Sequence, residues 1–198
     1  MKKWLPLIII LILAFALYSW GKGFNNTAVE LKEESTKAWG DVESSYQRRN
    51  DLIGNLVKTV QGAADFEKNT LEAVIEARSK ATQTTIDPAN ITQEQLAAFN
   101  EAQSGLSSAL SRLLVTVERY PDIKANQNFL ELQSQLEGTE NRINVARDRF
   151  NEAVEPYNKH IKTFPNSFLA GILGFDELQY YRAEAGSENA PDVDFDFD

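Results

Sequence analysis

The chain contains no cysteine and a single histidine. Disulfides and thiolate metal sites are therefore excluded, although a well-packed helical domain needs no such staple in any compartment. No Glu-x-x-His pair offers the ligands of a di-metal bundle, so His160 reads as a satisfied or exposed side chain. A Walker loop, a dinucleotide fingerprint and a Gly-x-Ser-x-Gly turn are all missing, and no reaction class is favoured. The carboxylates around Asn100-Glu101 and residues 137–141 have no spacing that specifies a catalytic dyad. Strand-like alternation over any length comparable to the helical pattern is absent too, which argues against a parallel-sheet enzyme or a β-barrel. Finally, there is no basic stripe. The net charge of −9 is concentrated after residue 175, where eight acids face one base, Arg182. The rest is nearly neutral, so nucleic acid is not an expected partner. No metal or organic cofactor is expected.

What the chain does have is an apolar N-terminal run. Lys2 and Lys3 precede a lipid-like stretch from residue 4 to 20, bracketed by Trp4 and Trp20 as interfacial aromatics bracket a span. Its seventeen residues would extend ~26 Å as a helix, and continuation to Phe24 gives ~32 Å, close to the hydrocarbon thickness of a bilayer. A cleavable signal is the competing reading, because Ala14-Phe15-Ala16 has the small-x-small form of a cleavage site. The apolar run continues through Leu17, Tyr18 and Trp20, however, which favours a retained anchor. The lysines before the span favour a cytoplasmic N-terminus and an extracytoplasmic domain, with the anchor in an inner or cytoplasmic membrane.

The remaining chain is helical in pattern. From residue 27 to 83, Leu31, Ala38, Val42, Tyr46, Ile53, Leu56, Val60, Ala63, Leu71, Val74 and Arg78 recur at three and four, predicting one very long helix or two nearly end to end, with Gly54 and Gly62 as possible joints. Pro88 and its neighbours predict a break at 86–90. Thr92 and Gln95 then form a capping box, and Leu96, Phe99, Gln103, Leu106, Leu110, Leu113, Val117 and Tyr120 make a regular coiled-coil-like seam. After Tyr120-Pro121-Asp122 comes a third stripe: Phe129, Leu132, Leu136, Ile143, Ala146, Phe150, Val154, Tyr157, Ile161 and Phe164. Pro156 lies inside it and should bend it. The expected fold is all-α, an N-terminal transmembrane helix (1–24) followed by an antiparallel long-helix bundle (25–175) and an acidic, flexible tail (176–198). Within the tail, the alternating 193–198 segment could add a β-strand to a partner, although a free acidic end is the first reading.

Polar residues embedded in these stripes are the candidate network. Tyr46, Arg48, Arg49 and Asp51 form the densest cluster, with Arg49 near the Val42–Ile53 face and Arg48 spaced to pair with Asp51. Arg78 near Glu76, together with Arg147, Asp148 and Arg149, is expected to make cross-helix or surface salt bridges. Arginine suits either structural linking or binding, since it buries its stem while presenting five donors. A second candidate surface comprises Phe168, Leu169, Ile172, Leu173 and Phe175 after Pro165. These residues are expected to close the bundle, with membrane or partner contact as the other role.

These features together resemble the LemA family. The likeness is carried by VESSYQRRNDLIGNLV at 42–57, LEAVIEAR at 71–78, ARDRFNEAV at 146–154, YNKHIKTF at 157–164 with Pro165, and AGILGF at 170–175. It implies a bacterial single-pass membrane protein with a helical bundle and no established enzymatic activity, and it brings no catalytic residues. Gly54 stands where the family commonly has proline, so a proline bend does not carry over. The expected function is a membrane-anchored structural or protein-interaction component of the cell envelope, not an enzyme, partnered by the bilayer and by a second copy or another envelope membrane protein. The alternative is a helical hydrolase, or an accessory subunit of a membrane enzyme complex, with a cleft lined by Arg48, Asp51, Arg147 and Asp148. The excess of the first helix over the second further suggests a length free for docking.

Overall fold

The computed structural model describes residues 4–62, 66–88 and 90–182. The described residues contain six helices: α1 (Leu5–Gln61), α2 (Lys68–Gln83), α3 (Gln93–Val117), α4 (Pro121–Lys124), α5 (Gln127–Lys162) and α6 (Asn166–Leu173). The apolar run and the first bundle helix are one element. α1 is 57 residues long, or ~85 Å at 1.5 Å per residue. It passes through Gly21, Gly23 and Gly54 without interruption. Its N-terminal part is long and apolar enough to cross a membrane, and its side chains there are exposed, from Leu7 to Tyr18.

Beyond that part α1 and α5 form the principal antiparallel pair. Ascending α1, Phe24 meets His160, Ser35 Oγ donates to the Ala153 carbonyl, Tyr46 meets Arg147 and Arg49 meets Glu140. The α2–α3 hairpin covers the far half of this pair. Its α3 begins with the expected box, the Gln95 amide donating to Thr92 Oγ1 and the Thr92 amide to Gln95 Oε1. α5 runs through Pro156 without ending.

The core divides at mid-height. The far cluster contains Leu56, Val60, Val74, Leu106, Leu113 and Leu136. The near cluster contains Trp39, Val42, Tyr46, Phe99, Phe150 and Tyr157, with Trp39 edge-on to Phe99 and Phe150. Below Trp39 the hairpin no longer reaches, and the apolar stripes of α1 and α5 need another cover. The chain supplies it from its C-terminal side. Gly174 adopts a left-handed conformation, φ 72°, that ends α6 and turns the backbone. Residues 175–181 then run along the bundle, burying Leu178 and Tyr181. The Asn158 and Asn151 side chains hold this segment, each accepting a backbone amide and donating to a carbonyl at Leu178 and Tyr181.

Three expectations change accordingly. The length expected to be free for docking is not there: of the one-helix and two-helix readings of 27–83 the second is found, with the break at Gly62, and α2 turns back onto α1 and α3 instead of projecting. The acidic tail does not begin as a free segment at 176, since residues 176–182 pack on the bundle; residues 183–198, including the 193–198 alternation, lie outside the described residues. Phe164, placed in the α5 stripe, is 85% exposed because the helix ends at Lys162.

Gly54 is a close approach rather than a joint. A Cβ there would lie 3.1 Å from Arg78 Cζ, and the Arg78 Nε donates to the Asn50 carbonyl at 2.8 Å. That carbonyl is the one a proline at 54 would leave unpaired, since proline has no amide to donate four residues back. Gly54→Pro is thus expected to cost clearly less than the ~3 kcal/mol of a mid-helix proline. Gly40→Pro, where a Cβ meets nothing within 4 Å but no side chain is recorded at the freed carbonyl, should cost the full amount. Denaturant unfolding of both variants checks this, and equal losses would contradict it.

Candidate functional site

Between the two core clusters lies a polar layer built from three helices. Arg49 on α1 is 3% exposed, yet its guanidinium finds partners on both sides. Nη1 donates to Glu140 Oε1 of α5 at 3.0 Å and to Ser107 Oγ of α3 at 3.4 Å, while Nη2 donates to Gln103 Oε1. Gln103, a polar residue on an otherwise apolar seam, is itself buried. This pattern satisfies most of a charge that would otherwise be costly to bury.

One turn nearer the N-terminal end of α1, a second arginine organises two tyrosines. Arg147 Nη2 donates to the Tyr46 hydroxyl, the Tyr46 and Tyr181 hydroxyls are 3.1 Å apart, and the Tyr181 hydroxyl donates to Asn100 Oδ1. Because a phenol has one proton, the donation from Tyr181 to Asn100 directs the Tyr46 proton onto Tyr181. A single donor chain thus runs from Arg147 through both tyrosines to Asn100. The Arg147 Cζ also sits 4.4 Å from the Tyr181 ring centroid, and the Arg49 Cζ 4.8 Å from that of Tyr46. A cavity of about 290 Å³ opens beside this layer, lined by Arg49, Asn100, Gln103, Arg147, Tyr181 and Arg182 among others. Among the described residues, Arg49 Nε and Arg147 Nε have no hydrogen-bond partner.

The chain of hydroxyls requires protonated phenols. Burial, then Tyr46, pushes the Tyr181 pKa well above its ordinary value, against an opposing pull from Arg147. Burial, then Asp176, also raises Tyr157. A folded-state value above the unfolded one means the stabilisation is complete below the unfolded pKa, about 10, and is lost as pH rises beyond it. Denaturant midpoints should therefore fall above about pH 10, and Tyr181→Phe should fall less steeply over the same range. A profile unchanged by Tyr181→Phe would contradict this origin.

The sequence-derived network is only partly one cluster. Tyr46, Arg49 and Arg147 converge in the layer. Arg48, Asp51 and Arg149 instead line an open groove of about 1240 Å³ on another face of the α1–α5 pair, together with Arg142. The expected Arg48–Asp51 pair is replaced by Asp51 with Arg78 at 3.9 Å, because Arg78 arrives from α2 on the Asp51 side; Glu76 is exposed. Arg147 takes tyrosines instead of a carboxylate, and Asp148 is exposed and lines neither cavity. Arg48, Asp51, Arg147 and Asp148 consequently do not line one cleft. Sequence reading missed Gln103's role, Asn100, Glu140, Asn151 and Tyr181. A glutamine on a leucine seam was the one available signal; the others are brought in by tertiary packing.

His160 is satisfied: its ring stacks on Phe24 with centroids 5.0 Å apart, and Nε2 lies 3.2 Å from the Phe24 carbonyl. No group of three or more potential ligands gathers among the described residues. At the same end, the terminal candidates divide. Leu169 and Phe175 pack against the core beside the buried Ala170, whereas Phe168, Ile172 and Leu173 face outward.

Comparison with known proteins agrees with this architecture. Two proteins named magnetosome protein MamQ from Paramagnetospirillum magneticum are each 28% identical over 180 residues, covering 82% of this chain and 66% of theirs. Magnetosome protein MamQ of Magnetospirillum gryphiswaldense is 27% identical over the same length. Protein LemA of Metamycoplasma hominis is 22% identical over 161 residues, 81% of this chain and 70% of that one. The chain thus spans 66% of the length of the MamQ relatives. The N-terminal part of α1 makes this chain a candidate for membrane association by length and composition. The model of the LemA family matches residues 38–195, which contain the polar layer, the α2–α3 hairpin and α6. By that match over most of its length, the chain belongs to the LemA family.

Proposed function

We propose that the protein is a membrane-anchored, non-catalytic interaction or structural component of the bacterial cell envelope, with its N-terminus in the cytoplasm and its bundle outside. The observation that carries the reading is the continuity of α1: the helix suited to the membrane is the same helix that forms the bundle's spine. A rigid connection of this kind holds the bundle at a set distance from the membrane. Anchoring also raises local concentration, so weak lateral contacts gain weight. The groove lined by Arg48, Arg142 and Arg149, with Asp41, Glu43 and Asp51 nearby, presents charges of both signs to a second copy or to another envelope protein.

The absence of native cysteine makes the test direct, since each introduced thiol is unique. Arg48→Cys and Arg149→Cys, carrying a photocrosslinker in intact membranes, should give reproducible adducts that Ser111→Cys on α3 does not. Intrachain products alone at the groove positions, with a monomeric mass after solubilisation, would reject it. Thiol labelling from either side of the membrane tests the orientation separately.

A further inference from the structure

α6 is placed where the membrane helix leaves its apolar stretch. The Trp20 indole Nε1 donates to Asn166 Oδ1 at 3.3 Å, and Phe24 meets Phe175 edge-on at 5.7 Å. Asn166 also reaches back to the His160 carbonyl at 3.2 Å, so α6 is fastened to both α1 and α5. On its inner side Ala170 is buried. On its outer side Phe168 and Ile172, four residues apart, share one face with exposures of 69% and 64%, and Phe164, just before the helix, is 85% exposed. Leu173 at the helix end is 49% exposed. No charged residue lies within Asn166–Leu173.

A cluster of large apolar side chains this exposed is unusual on a surface in contact only with water. Here it sits at the level of Trp20, which closes the apolar run and bonds to Asn166 at the start of α6, next to the stretch of α1 whose apolar side chains are exposed from Leu7 to Tyr18. That position decides what covers it. We propose that α6 is a second membrane contact, lying in the interfacial layer of the bilayer that α1 crosses and seating Phe164, Phe168 and Ile172 among the acyl chains. A single helix leaves a bundle free to swivel about the membrane normal and to tilt; a second contact removes both freedoms and sets which face of the bundle lies against the lipid. Amphipathic interfacial helices bind by this means, with apolar residues below and the polar or protein-bound side above. The inference rests on the membrane-anchor reading of α1.

The test uses the full chain in vesicles of phosphatidylcholine and phosphatidylglycerol, with a polarity-sensitive fluorophore on single cysteines: Phe168→Cys or Ile172→Cys in α6, Ile10→Cys in the apolar run, and Ser111→Cys on α3. These side chains are exposed, so the substitutions leave the core intact. The expected result is a blue shift and quenching by lipids labelled near the headgroup at 168 and 172, quenching by deep-labelled lipids at 10, and neither at 111. Probes at 168 and 172 as solvated as the one at 111, with the probe at 10 quenched, would overturn the α6 contact while leaving the anchor standing. Shielding of 168 from aqueous iodide without lipid quenching would assign the face to protein and overturn it equally. Loss of quenching at 10 and 168 together would reject both readings, whereas quenching at 168 alone would support the surface contact and remove the span.

Discussion

Leu113→Asp is expected to cost the bundle more than about 4 kcal/mol, a large fraction of the roughly 5–15 kcal/mol that keeps a domain folded. Leu113 is fully buried in the far cluster, contributed by α3 to a core shared with Leu56, Val60, Val74 and Leu136. An aspartate there places a carboxylate among aliphatic groups with no donor to meet it. Leu136→Asp, at 5% exposure on α5, should behave alike. Leu110→Asp offers the contrast: it belongs to the same seam by spacing but is only half-buried, so its carboxylate can turn toward water and the loss should be less than half as large. Denaturant unfolding of the full chain in detergent gives the three values. An equal loss at Leu110 and Leu113 would reject the helix face assigned here.

The second large effect is expected in the polar layer. Glu140→Ala removes the carboxylate that pairs with Arg49, leaving a guanidinium whose side chain is 4% exposed with Ser107 and Gln103 as its remaining side-chain partners among the described residues. Breaking a buried pair from one side costs about 3–5 kcal/mol; because Glu140 is 48% exposed and water can reach its place, the lower end, roughly 3 kcal/mol, is expected. Arg49→Met combined with Glu140→Ala removes the stranded charge as well, and should be more stable than Glu140→Ala alone despite carrying one more substitution. A double variant whose loss equals the sum of the single losses would show that the two side chains do not act as a pair.

How much of this was legible beforehand differs by feature. The capping box at Thr92, the loop around Pro88 and the buried face of α5 follow from side chains within a few residues of one another, so local reading finds them. Pro156 was read as a bend or a restart and Gly54 as a joint; α5 continues through the first and α1 through the second. A helix packed along its length tolerates them, and at Gly54 the missing side chain admits Arg78 from another helix. The site was less legible. Arg49 falls on the apolar face by spacing alone, but its partners Gln103 and Glu140 lie 54 and 91 residues away in sequence. Tyr181 was assigned to the tail because its neighbours are acidic. It is drawn onto the bundle by Asn151 of α5 and Asn100 of α3, both far away in sequence.

By itself the sequence determined the all-helical class, the apolar N-terminal helix, the stripes that must be buried and the family. Each of these depends on period, length or local punctuation, quantities carried by neighbouring residues. Only the tertiary structure decided that the apolar N-terminal helix and the bundle's spine are one, that α2 folds back, that two arginines and two tyrosines share a layer, and that α6 turns three large apolar side chains outward beside Trp20. Those outcomes depend on which stripe covers which and for how far along α1. That is a competition among distant segments for the same apolar surface, and no local pattern records its result.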